Sequence, residues 1–231
     1  MKGQESLKER EYEIVSLSLL RREIAKRIDQ GYKIPTARLI TKVCANSILS
    51  MKEKLEKAYG KDISLTAIII SKVAKTLLHH TKLNSVYINN EWRIYNKRVN
   101  ISLAIQTKNG LIAPVIRDAH IKSIVQISDE IKLLQKRGDE GSLRIEDVTG
   151  GTFTITNLGP YDVLMFDAII NPPQIAILAI GSIFIEQKII NGKLIPEKYM
   201  YISLGFDHRF IDGYDAALFL RELKENIEKE E

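Results

Sequence analysis

Near its carboxyl end the chain reads Asp207, His208, Arg209, Phe210, Ile211, Asp212, Gly213, which sets one imidazole among fixed charges. Imidazole is the side chain whose unperturbed pKa, roughly 6.5, lets it take and return a proton near neutrality. His208 is therefore the general-base candidate, flanked by Asp207 and Arg209, with Asp212 four positions on. A strand end, a turn at Gly213 and a solvated charge pair would look the same. The setting argues for chemistry. Residues 200–206 are a mostly apolar run of strand length, and Ala217, Leu220, Leu223 and Ile227 recur at helical spacing. His208 thus falls where a strand hands over to a helix, a position from which α/β folds present catalytic side chains.

A second informative stretch, GGTFTITNLG at 150–159, is β-rich and full of hydroxyls, and reads structurally as a strand and its turn. Functionally, a hydroxyl at a strand end can donate to a developing oxyanion, a task that suits Thr156. Metal chemistry finds no support. His79, His80, His120 and His208 include no pair at ligand spacing, and Cys44 has no second cysteine. His79 and His80 are expected on different faces of one helix, and they and His120 read as surface or helix-end residues. Neither phosphate-cradling glycine motif occurs.

The elements that must carry these residues are legible in the spacing. An amphipathic helix is expected at 17–28, a strand at 37–41, and a helix at 45–59 stopped by Gly60. Ser64 is a plausible N-cap for a largely apolar, buried helix of Ile68, Ile69, Ile70, Val73, Leu77 and Leu78. A short hairpin is expected at 86–95 around Asn89, Asn90 and Glu91. A half-buried strand follows at 99–107, with a turn at Asn109-Gly110, extended chain at 111–116, and a helix at 124–136 ending at Gly138. Strands at 151–156, 175–183 and 184–190 precede a hairpin signal at Asn191-Gly192. This order gives an α/β sandwich with a mixed sheet.

With 231 residues and 45% apolar side chains, the chain can bury a sizeable core. No run approaches the roughly 18 to 20 apolar residues of a membrane span, and the charged amino end is not a secretory signal. The lone Cys44 excludes an internal disulfide and points to a reducing cytoplasm. The net charge of +5 is spread over alternating Lys and Glu, as in Lys52, Glu53, Lys54, Glu56 and Lys57. That reads as solvated helix face. No basic aromatic stripe supports nucleic-acid binding.

Five stretches in order, IVSLSLLRREIAKRI at 14–28, NGLIAPVI at 109–116, GGTFTITNLG, IINPPQIAILAIGSI at 169–183 and DHRFIDG, resemble the catalytic domain of the dihydrolipoamide acyltransferases. These are the core components of 2-oxoacid dehydrogenase complexes. The resemblance runs from about residue 12 to the end, leaving 1–11 as a charged lead. It implies the fold of chloramphenicol acetyltransferase, a two-layer sandwich with a mixed β-sheet flanked by helices. It also implies acyl transfer between the thiols of dihydrolipoamide and coenzyme A. On that basis His208 would deprotonate the attacking thiol, Thr156 would bond the oxyanion, worth roughly 3 kcal/mol, and Asp212 would orient the site or balance charge. Coenzyme A contacts carry over to Lys52, Ser64, Gln135, Thr156, Asn157, Gly181 and Ile183. Lys52 stands where the family has an arginine, Gln106 where it has an acid, and Asp162 where it has a glycine.

The resemblance further implies a homotrimer in which the histidine of one subunit meets the hydroxyl of its neighbour. Residues 1–11 hold no lipoyl or subunit-binding domain, so the lipoyl group is expected in trans, from a lipoyl-bearing protein accompanied by dehydrogenase subunits. The charged residues 228–231, in place of an apolar tail, lead to the expectation that assembly stops at the trimer. The acyl group stays open among acetyl, succinyl and branched-chain. The competing functions are a free-standing acetyltransferase acting from acetyl-coenzyme A on a small alcohol or amine, and an inactive assembly core.

Overall fold

Ser18 accepts a hydrogen bond from the backbone N–H of Arg21 at 3.2 Å and so starts the first helix, α1 (Leu19–Tyr32). The computed structural model describes residues 12–108, 110–190 and 192–229, without the side chains of Leu20 and Ile190. The charged lead, Asn109, Asn191, Glu230 and Glu231 lie outside the described residues. After α1 come β1 (Thr36–Cys44), α2 (Asn46–Tyr59), α3 (Leu65–Leu77), β2 (Ser85–Ile88), β3 (Glu91–Ile94), β4 (Ile101–Thr107), β5 (Gly110–Ile112) and β6 (Val115–Ile116). The second half adds α4 (Ile124–Asp139), β7 (Phe153–Asn157), β8 (Ala176–Ile190), β9 (Lys193–Asp207) and α5 (Gly213–Glu228).

The main sheet runs β1-β9-β8-β7-β4-β5, with β6 also on β4. It is mixed, as expected: β4 with β7 and β7 with β8 are parallel, and the remaining pairs are antiparallel. Alternation along the strands sorts the two faces. Ile101, Leu103, Phe153, Ile155, Leu178, Ile180, Ile202 and Leu204 enter one core with Ile48, Ile68, Ile69, Val73, Leu77, Ile127, Phe219 and Leu223 of the helices. Each such side chain contributes about 1.5 to 3 kcal/mol on burial. The opposite face carries Ser102, Thr154, Thr156, Ser203 and Gly205. Residues 163–169 cross it: the Val163 carbonyl accepts from the Ser182 N–H at 2.8 Å, and Asp167 approaches Arg38 at 3.4 Å.

Three expectations need correction. α1 starts at Leu19 and runs on to Tyr32, because the Ser18 cap sets its origin later than the apolar spacing implied. α4 does not stop before Gly138 but continues to Asp139. That glycine serves a close approach: a Cβ there would lie 2.7 Å from Thr107 Cγ2 and 2.8 Å from Ile112 Cδ1. The strands expected at 175–183 and 184–190 are one strand, β8, whose pairing with β9 shifts register between Ile180 and Ile183. A bulge of this kind bends a strand without ending it.

The small hairpin β2-β3 turns through Asn89 and Asn90 at φ 52° and 61°, the left-handed pair of a type I′ turn. Tyr12, Ile14, Val15, Leu17 and Leu19, at and before the start of α1, are all more than half exposed. Among the described residues no helix is long and apolar enough to cross a membrane.

Candidate active site

His208 is positioned by its neighbours. β9 ends at Asp207, whose carboxylate is 1% exposed. It is held by Arg209 through Nε to Oδ1 at 2.9 Å and Nη2 to Oδ2 at 2.7 Å, while its Oδ1 also accepts the Arg209 backbone N–H at 3.0 Å. This paired hydrogen bond, with a further electrostatic contribution from Asp207, raises the Arg209 pKa above its already high ordinary value. The guanidinium lies 5.4 Å from the ring centroids of both Tyr87 and Phe210. The His208 N–H extends the β1–β9 ladder to the Pro35 carbonyl at 2.9 Å. A doubly tethered backbone therefore turns the imidazole outward: His208 is exposed, its ring centroid 5.7 Å from that of Phe206. Among the described residues nothing hydrogen-bonds the ring. Asp212 occupies the N-cap of α5 in extended conformation, exposed, and its side chain makes no cap bond.

Thr156 sits near the carboxyl end of β7, between Ala104 and Ala179. It is half-buried, and its hydroxyl has no hydrogen-bond partner among the described residues. The next residue is fully committed. Asn157 Nδ2 donates to Thr66 Oγ1 at 3.0 Å, and its Oδ1 accepts the Gly159 N–H at 2.8 Å. That amide ties the turn after β7 to the start of α3. Two residues before Thr66, Ser64 occupies the N-cap of α3 as expected, though its hydroxyl makes no cap bond. Gln135 reaches the Gln106 carbonyl at 2.9 Å, two residues past Ala104 in β4. Gly181 and Ile183 extend β8 beyond Ile180, the partner of Asn157. Gly181 is needed for packing, since a Cβ there would lie 2.0 Å from the Leu164 carbonyl oxygen.

A cleft of about 640 Å³ lies just beyond the carboxyl end of β4, where Lys108 follows Thr107; Thr156, Asn157, Gly181 and Ile183 are not among its lining residues. Ser64 and Gln135 line it, together with Asp62, Lys108, Lys132 and Lys136. Its volume falls in the range of small-molecule sites, and open α/β sheets bind ligands outside their strands' carboxyl ends. Lys52 stands behind the rim, bonded to Glu56 and, at 3.3 Å, to Asp62 Oδ1. The hydrogen bond to Glu56, helped by that to Asp62, raises the Lys52 pKa above the usual lysine value against desolvation.

The resemblance implies that His208 and Thr156 meet between subunits, and within one chain the fold keeps them apart. Thr156 is level with Ala179, and Ala179 with Ser203. His208 lies five residues beyond Ser203 and two strands away from Thr156. At about 3.4 Å per residue and about 4.8 Å per strand, the two are about 20 Å apart. They stand at opposite ends of one sheet.

Several contacts were not legible beforehand. His79 and His80 do not point apart: α3 ends at Leu77, and in the turn beyond it His79 Nδ1 and His80 Nε2 reach the two oxygens of Glu222 at 2.7 and 2.8 Å. His120 Nδ1 accepts the Val99 N–H at 3.3 Å. Among the described residues no group of histidine, cysteine and acids forms a metal site. Gln174 bonds Thr154, donates to Ser102 Oγ at 2.8 Å, and thereby braces the open face two residues from Thr156. The conspicuous signal was the polar residue at the end of NPPQ.

Comparison with known proteins bears on this geometry. Residues 9–231 match the family model of the 2-oxoacid dehydrogenases acyltransferase catalytic domain. The chain is 36% identical over 93% of its length to the dihydrolipoyllysine-residue succinyltransferase component of the 2-oxoglutarate dehydrogenase complex of Haemophilus influenzae, covering 53% of that protein. It is 37% identical over 94% of its length to the acetyltransferase component of the pyruvate dehydrogenase complex of Rickettsia bellii, again covering 53%. The chain thus spans about half the length of these curated relatives. Among solved structures, a truncated catalytic core of the 2-oxoacid dehydrogenase multienzyme complex from Thermoplasma acidophilum superposes with TM-score 0.85 and 33% identity, covering 94% of this chain and 99% of that one. Chloramphenicol acetyltransferase shares the fold at TM-score 0.55 and 15% identity, with 91% and 98% covered. The cubic core of a pyruvate dehydrogenase complex superposes at TM-score 0.88 and 24% identity, with 99% and 96% covered. That likeness shows the shared fold. The expectation that assembly stops at the trimer rested partly on Glu230 and Glu231, which lie outside the described residues.

Proposed function

Because the chain belongs to the family of 2-oxoacid dehydrogenase acyltransferase catalytic domains, we propose that it moves an acyl group between the thiols of dihydrolipoamide and coenzyme A, each site combining His208 of one copy with Thr156 of another. One observation carries the two-copy site. The unpartnered imidazole and the unpartnered hydroxyl are about 20 Å apart in one chain, far beyond the roughly 3 Å of a hydrogen bond. A homotrimer supplies the second copy, and the exposed apolar residues Tyr12, Ile14, Val15, Leu17 and Leu19 support burial against another chain.

A thiol of pKa about 8.5 is mostly protonated at neutrality, so the His208 imidazole takes its proton as the sulfur attacks the thioester carbonyl. The Thr156 hydroxyl donates to the oxygen on which negative charge collects, and His208 returns the proton to the departing sulfur. Asp212, exposed one turn beyond His208, balances the charge that then develops on the ring. Residues 12–231 form the catalytic unit. The cleft lined by Ser64 and Gln135 takes coenzyme A: Lys108, Lys132 and Lys136 bring ammonium groups to it. Asn157, engaged by Thr66 and Gly159, and Gly181 and Ile183 of β8 are the further coenzyme A contacts of this reading. The lipoyl group arrives from a lipoyl-bearing segment or protein, alongside dehydrogenase subunits. Succinyl and acetyl remain open, since relatives of both kinds match to a similar degree.

The test supplies dihydrolipoamide, or a panel of small alcohols and amines, with acetyl- and succinyl-coenzyme A. Transfer to dihydrolipoamide is expected, and it falls about 10² to 10⁴-fold in His208→Ala. Acylation of a small alcohol or amine with none of dihydrolipoamide would overturn the reading.

A further inference from the structure

The carboxylate of Asp62 holds a different lysine on each oxygen. Lys52 Nζ lies 3.3 Å from Oδ1 and Lys132 Nζ 3.1 Å from Oδ2, and Lys132 also donates to the Asp62 backbone carbonyl at 2.6 Å. The two ammonium groups come from different helices, α2 and α4, and converge on one small anion at the rim of the 640 Å³ cleft. The hydrogen bond from Lys132, followed by that from Lys52, keeps the Asp62 carboxyl below the usual aspartate range. Its side chain is nevertheless 71% exposed, and exposed ion pairs contribute little, about 0 to 1 kcal/mol each. The pairing is therefore easy to exchange.

We propose that Asp62 is a place-holder for a phosphate group of coenzyme A, and that Lys132 joins Lys52 as a phosphate-binding residue once the carboxylate is displaced. The inference rests on the coenzyme A reading above. A phosphate brings more negative charge than one carboxylate and three acceptor oxygens, so it engages both ammonium groups and leaves Asp62 to solvent. Lys52 retains its second partner, Glu56, which holds that ammonium at the rim during the exchange. An aspartate at this place lowers affinity while keeping two flexible lysines gathered, and so sets how tightly the phosphate end is gripped.

Direct calorimetric titration with coenzyme A at low and moderate salt tests the proposal. Lys132→Met and Lys52→Met should each weaken the dissociation constant about tenfold and flatten its salt dependence. Asp62→Asn should act the other way, tightening binding about threefold. These opposite signs separate a binding role from a structural one, because loss of a merely structural ion pair would weaken binding in every variant. Lys132→Met and Asp62→Asn both staying within twofold of a parent that binds coenzyme A would overturn this proposal alone. Asp62→Asn binding more weakly than the parent would also overturn it. A parent that binds no coenzyme A would sink the functional reading and this inference together.

Discussion

Two disabled variants should restore each other. His208→Ala removes the base from every site, and Thr156→Ala removes the oxyanion donor. If both groups served one site within a chain, no mixture would contain an intact site. The register places them about 20 Å apart, a gap no rotamer change closes, so in the proposed site the base comes from one copy and the donor from the next. In a cyclic trimer assembled at random from equal amounts of the two variants, a Thr156→Ala copy presents its intact histidine to the intact threonine of a His208→Ala copy at about a quarter of the interfaces. Co-refolded mixtures should therefore show about a quarter of the parent's acyl transfer. His208→Ala should sit about 10² to 10⁴-fold and Thr156→Ala about 10² to 10³-fold below the parent, so the recovery stands far above background. Chromatographic separation and quantification of acylated dihydrolipoamide, with native mass spectrometry to verify mixed trimers, measures this. Mixed trimers with no more activity than the average of the two variants would refute the reasoning.

Thr156→Ser should retain most of the turnover, while Thr156→Ala loses about 10²-fold in kcat with little change in KM; steady-state kinetics decides. Burial opposes ionisation of Glu222, but the hydrogen bonds from His79 and His80 outweigh it and hold its carboxyl below the ordinary glutamate value. That stabilisation is complete above the unfolded pKa of about 4.3 and is lost as pH falls through the lower folded value. Glu222→Gln should therefore lower Tm at pH 7, and its deficit should shrink as thermal melts are taken down through pH 4. Gly181→Ala, whose Cβ would lie 2.0 Å from the Leu164 carbonyl oxygen, should cost about 1 to 3 kcal/mol in urea unfolding.

Local pattern carried much of the fold, because each strong signal had a local cause. Gly60 at φ 64° ends α2, the Asn89-Asn90 turn closes β2-β3, and the all-apolar face pattern of α3 puts it in the core. Failures came where a distant contact overrode local preference. Thr107 and Ile112 demand a glycine inside α4, and Glu222 of α5 gathers two histidines that helical geometry would have splayed. The residue types of the site were legible in local sequence, whereas the expectation that they meet between copies came only from the resemblance. His208 and Thr156 were found through their neighbours in sequence. That they stand at opposite ends of a sheet depends on β9 running antiparallel to β8, which no local spacing reveals. Asp62 and Lys132 carried no signal at all, since alternating charges on a surface look alike until a cleft selects among them.

In the proposed two-copy site, a sheet that carries the base at one end and the donor at the other makes every copy a tenant of two reaction centres and the sole owner of none. Damage to a single chain, whether by misfolding or by proteolytic nicking, would then silence both centres it borders. Catalytic output in a partly damaged population would then fall faster than the count of intact chains.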